Sequence, residues 1–235
     1  SKGEQEYVIR KVVNEPQDIE VLCDFDEISR DELFAAIAHV NAALDETRLI
    51  LRLPSRVPVD CMSGDIGVEN LQRLRNLARA IAAKGRLAVL DGDHDEATES
   101  YLDAVRLGFF VRRGGLLVDA LFGMGCSGSG IRGIYEIREE VSQEKRRYAI
   151  SELLSLIDEA EEYEGFKQRD VIWERNALGW HGRFRELVFR VAGESLFVSE
   201  ESIRQQFQVE QTIVRLLARE LAVHEYHRDH QNWQV

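Results

Sequence analysis

The chain has 235 residues, 44% of them apolar, and carries 42 acidic against 30 basic side chains for a formal net charge of −12. That length suits one domain or two small ones with a substantial core. The acidic excess repels a phosphate backbone, and the densest basic run, EKRRY at 144–148, is flanked by carboxylates, which excludes nucleic acid as a partner.

Residues 1–28 read as a poorly defined N-terminal segment: YVIRKVV fits a short strand or helix, and EPQDIEVLCDFDE reads as loop. The opening SKGEQEYVIR has no hydrophobic signal region, and no stretch is apolar enough to span a bilayer. A soluble chain with a cytoplasmic address is the expectation. Ser1 stands where an initiator Met would, so a natural N-terminus that has been processed or trimmed is the expectation. Cys23, Cys61 and Cys126 are far apart and form no C-x-x-C, so they read as small buried apolar residues rather than a zinc or redox site.

Residues 29–235 read as one helical domain with a possible subdivision near 142–165. Ser29 and Glu32 form a capping box, and Leu33, Ile37, Val40, Leu44, Thr47 and Leu51 trace one helix face until Pro54. A second helix over about 66–90 places Leu71, Leu74, Ala78, Ile81, Gly85 and Ala88 on a stripe. Gly92 then suits a left-handed turn and Asp93 a cap, opening a third helix with Ala97, Tyr101, Ala104 and Gly108 inward until Gly114 and Gly115.

The next stretch contains GMGCSG at 123–128, a literal G-x-G-x-x-G. A dinucleotide turn requires a strand before it and a helix N-terminus after it. Here both flanks have helical spacing. Leu117, Leu121, Met124, Gly128, Ile131 and Tyr135 form one stripe; Ala120, Gly123, Ser127, Gly130 and Ile134 form a second of mostly small residues. The second suits a close helix–helix crossing, and nucleotide binding at Gly123–Gly128 is the lesser reading.

A fifth helix is expected over about 142–162 with Ile150, Leu153, Leu154 and Ile157 inward, and a sixth from Gly165 with Val171, Ile172 and Trp173. A break near Gly179–Gly182 leads to Phe184, Leu187, Val188 and Val191. Ser199 is expected to cap a last helix whose stripe runs Ile203, Phe207, Glu210, Val214, Leu217, Leu221 and His224, with Glu210 buried against an arginine.

Candidate site residues are few. Trp173, Glu174 and Arg175, with Trp180 and His181, form a possible groove or pocket. His224, His227 and His230 are weak metal candidates, since spacing of three sweeps around a helix and H-E-x-x-H is absent. DGDHDEA lacks the glycine and terminal glutamate of a calcium loop and reads as a turn with a cap. No nucleophile motif is recognised, and no cofactor is expected.

Two resemblances follow from these stretches. Residues 78–108, with Gly85, the Gly92–Asp93 turn, and Ala97, Tyr101 and Ala104, resemble one tetratricopeptide hairpin; Lys84 and Gly108–Phe109 depart from that pattern. The run from Arg56 to Gly123, together with LLARELAVHEYHRDHQNW, resembles a group of uncharacterised, mostly helical proteins of planctomycete-type bacteria. In that group the C-terminal helix ends YRxxHGxxP, where Gln231 replaces the glycine here. The resemblance implies an all-α fold and a natural protein extending past Val235. The expected architecture is all-α, stacked antiparallel helix hairpins, partly tetratricopeptide-like. The expected role is protein interaction or scaffolding, with a peptide or partner helix received on a concave face and homo-oligomers possible. A small-ligand or enzymatic site around Trp173–His181 is the alternative.

Overall fold

The structure, a computed structural model, describes residues 28–53, 68–177 and 200–231. Within them every regular element is a helix: α1 (Arg30–Leu51), α2 (Val68–Leu90), α3 (His94–Arg112), α4 (Leu117–Ile137), α5 (Gln143–Asp158), α6 (Tyr163–Ala177) and α7 (Glu200–Gln231). None of the described helices is long and apolar enough to cross a membrane. The segment before Ile28, the connection 54–67 and the expected break and apolar run at 178–199, including the Ser199 cap, lie outside the described residues.

Local chemistry sets the helix ends. Ser29 and Glu32 close a reciprocal capping box on α1. Gly92 turns at φ 78° between α2 and α3, and the Asp93 carboxylate accepts the Glu96 N–H at 3.0 Å. Gly114, at φ 76°, turns the chain between α3 and α4. The α4 N-terminus is capped twice over: Asp119 accepts the Leu116 N–H at 2.6 Å and Asp170 of α6 accepts the Leu117 N–H at 3.0 Å. Burial raises the pKa of both carboxyls against the pull of these hydrogen bonds.

α3 is the axis of the fold. Gly130 of α4 is backed by Tyr101 and Gly123 by Gly108, so α4 runs antiparallel to α3, while the tight Gly92 turn folds α2 back along α3 with Gly85 against the Tyr101 ring. One side of α3 (Ala104, Leu107, Val111) joins Leu33, Ile37 and Leu44 of α1, Leu77, Ile81 and Ala83 of α2 and Cys126 of α4. The other side (Tyr101, Leu102, Val105, Phe109) joins Ile134 of α4, Leu153 and Ile157 of α5 and Val214, Leu217 and Leu221 of α7. A smaller cluster sets Phe166 of α6 and Phe207 of α7 around Ala120, with the two rings 5.3 Å apart.

The structure corrects several expectations. α5 ends at Asp158, and Leu154 faces out because the core-facing row runs Arg146, Ala149, Leu153 and Ile157. α6 begins at Tyr163, two residues before Gly165; Phe166 is its core anchor, while Val171 and Ile172 are exposed. Of the first α4 stripe, Ile131 is buried, Leu117 and Met124 are partly buried against the Phe166–Phe207 cluster, and Leu121, Gly128 and Tyr135 are exposed. The small-residue stripe, by contrast, is buried throughout.

Candidate functional site

Charged side chains gather first along α3. Glu99, Asp103 and Arg106 are buried on this helix. Arg106 donates to Asp103 at 2.6 Å, Glu99 at 2.9 Å, and both Tyr148 and Glu152 of α5 at 2.6 Å. Arg48 of α1 donates to Asp103 at 2.5 Å and Glu96 at 2.8 Å. Arg52 adds a bond to Glu99 at 2.9 Å, and Lys145 of α5 also donates to Glu99.

The seam balances four carboxylates (Glu96, Glu99, Asp103, Glu152) against four cations (Arg48, Arg52, Arg106, Lys145). Burial opposes the Glu99 charge, but hydrogen bonds from Lys145 and Arg106 outweigh it and hold this carboxyl down at about 2. At Asp103 burial wins over Arg48 and Arg106 and the pKa is raised. Every carboxylate here has an internal cationic partner, so the seam ties α1, α3 and α5 together and offers no charge to a ligand.

A second polar knot joins three helices at α7. Glu210 accepts from Arg112 of α3 through one carboxylate oxygen and from Ser127 of α4 through the other. Arg112 is stacked over the Phe109 ring at 4.0 Å, and its second terminal nitrogen is buried with no hydrogen-bond partner among the described residues. Burial lowers the Arg112 pKa, and Glu210 offsets only part of that. The arginine expected beside Glu210 is therefore Arg112, 98 residues away in the chain.

Above this knot lies an open groove of about 660 Å³ between α4 and α7. Met124, Gly128, Ile131 and Tyr135 form its α4 wall, and Val209, Ile213, Leu216 and Leu217 its α7 wall. The groove is mainly apolar, with Arg132, Gln206, Glu210 and Glu220 as its polar members. Val209 is 55% exposed, Ile213 45%, Leu216 52% and Tyr135 49%. This is an apolar surface shared by two facing helices and left exposed among the described residues.

The residues singled out from sequence are only partly among the described ones. Trp173 is half-buried and its indole N–H has no partner among the described residues, but Glu174 and Arg175 beside it are exposed. Trp180 and His181 lie outside the described residues. His224 sits partly buried near the end of α7; His227 and His230 continue that helix, and their side chains lie outside the described set. Among the described residues no group of three or more His, Cys, Asp or Glu is placed to hold a metal ion.

GMGCSG lies in the middle of α4, where its N–H groups belong to a helix and not to a phosphate-binding turn. The helix N-terminus that a phosphate would need is filled by Asp119 and Asp170. Sequence reasoning missed the groove, although one signal was available. Val209, Ile213, Leu216, Glu220 and Val223 repeat at spacings of four and three beside the buried stripe. Comparison with protein families, with characterised proteins and with solved structures finds no match to this chain.

Proposed function

We propose that this chain is a non-catalytic helical protein-interaction domain whose α4–α7 groove receives an amphipathic helix of a partner protein. The observation that carries this reading is the second apolar stripe of α7. Val209, Ile213 and Leu216 face open space at helical spacing while the adjacent stripe, Val214, Leu217 and Leu221, is buried. A helix with two apolar stripes and only one covered has surface for a second helical neighbour. The ionic seam and the Glu210 knot support the reading from the other side, because their charged groups are committed to holding helices together.

The α2–α3 hairpin fits the same reading. Its tight Gly92 turn and the seating of Gly85 against Tyr101 are the features by which it resembles a tetratricopeptide unit, a module that presents helical faces to partners. The resemblance to planctomycete-type helical proteins is consistent with it and adds no activity.

A photocrosslinking amino acid at Leu216, with one at Leu49 as an exposed apolar control outside the groove, tests the reading in the native host. The expected result is an adduct from position 216 that Ile213→Asp removes, and none from position 49. Equal labelling from both positions, or adducts indifferent to Ile213→Asp, would discard the groove as the docking site.

A further inference from the structure

On the reading that the groove receives a helix, we infer that this helix is basic, with a lysine or arginine set opposite Glu220. The exposed stripe of α7 runs Val209, Ile213, Leu216, Glu220, Val223 at spacings of four, three, four and three, the repeat by which one helix packs along another. Glu220 interrupts an otherwise apolar row. It lines the groove, is exposed, and has no ion-pair partner among the described residues. A lone charge in such a row weakens purely apolar pairing and selects a partner that answers it.

The other charged groups of the groove are already engaged. Glu210 is bound to Arg112 and Ser127 at the floor, and Arg132 on the α4 wall bonds Glu136 at 2.8 Å. Glu220 is thus the carboxylate left to be answered from outside. The long-range field agrees, since a chain of net charge −12 attracts a basic helix and repels an acidic one, including a second copy of itself.

The α4 wall leaves room for the approach. Gly128 lines the groove, and a Cβ added there meets nothing within 4 Å, unlike the glycines on the α3 side. An interior glycine costs a helix about 1 kcal/mol relative to alanine. At Gly128 no packing within the described residues requires it, whereas a notch at this point admits a side chain from a helix lying along α7.

The test uses the full chain and a phage-displayed library of three-heptad helices with a fixed leucine seam and flanking positions randomised among Lys, Glu and Gln. Selected helices should carry Lys facing Glu220 and bind about tenfold more tightly than their Lys→Glu counterparts. Glu220→Lys should reverse that preference, Glu220→Gln should erase it, and Ile213→Asp or Leu216→Asp should abolish binding of all of them.

Selected helices that depend on Ile213 but bind equally with Lys or Glu would overturn the basic partner and leave the groove as a docking site. Failure to select any helix sensitive to Ile213→Asp or Leu216→Asp would overturn the docking reading itself. Self-association in sedimentation, abolished by Ile213→Asp, would make a second copy the occupant and overturn the inference.

Discussion

The two faces of α4 use the same residue types for opposite ends. Toward α3, Gly123 and Gly130 are backed so closely that an added Cβ would strike the carbonyl oxygens of Gly108 and Tyr101. Toward the groove and the surface, Gly125 and Gly128 face open space. One face is closed down to backbone contact; the other is left open beside an uncovered apolar row of α7. Glycine in a helix therefore reports on its neighbours only when one asks what its missing Cβ would touch. On the inner face the neighbour is in the chain, and on the outer face it is proposed to be a partner.

The closed side can be broken most severely at its polar knot. Glu210→Ala should cost about 3–5 kcal/mol in urea denaturation, because it strands the Arg112 charge in the core. The paired replacement Arg112→Met with Glu210→Leu should recover most of that loss, since it removes both charges together. If the single variant unfolds no more easily than the wild type, α7 is not held to α3 in the way described.

Acid should loosen the same side through the ionic seam. The Glu99 carboxyl is held below its ordinary value, so its contribution is complete above pH 4.5 and fades as pH falls toward about 2. Asp103 acts in the reverse sense, because its raised pKa favours the protonated, folded form. The neighbouring Arg48 and Arg106, whose pKa values are raised by their carboxylate partners, stay charged throughout this range. Glu99→Gln should therefore narrow the difference in thermal midpoint between pH 5 and pH 3, a range set by the Glu99 shift. An unchanged difference would mean that Glu99 is not a principal source of acid sensitivity.

The open side should answer more gently. Ile213→Asp is expected to shift stability by less than about 0.5 kcal/mol, the range usual for surface positions, when thermal and urea transitions are compared with the wild type. A loss comparable to that of Glu210→Ala would show that Ile213 is core and the groove closed.

Much of this architecture is readable from the sequence where one helix face carries one kind of residue. The α1 cap and stripe, the Gly92 turn, the small-residue face of α4 and the burial of Glu210 beside an arginine all follow from spacing. α3 is readable as a helix with Ala97, Tyr101, Ala104 and Gly108 inward, but its burial nearly all round is not, because Glu99, Asp103 and Arg106 make its other side look solvated. Their partners sit on α1 and α5, and local spacing carries no record of them. Phe166 was overlooked beside Val171, Ile172 and Trp173 for a related reason: the rings of Tyr163 and Phe166 against Phe207 anchor α6, and no periodic stripe announces them. The groove was missed because α7 carries two adjacent apolar stripes, and only packing shows which is covered.

The most direct measurement compares Gly128→Ala with Gly130→Ala in urea denaturation. The two substitutions are chemically identical and lie two positions apart on one helix. If α4 is closed inward and open outward, Gly128→Ala gains up to about 1 kcal/mol from helix propensity. Gly130→Ala then loses about 1–3 kcal/mol as its Cβ meets Tyr101. Changes of the same sign at both positions would contradict the difference between the faces, and with it the open groove on which the proposed function rests.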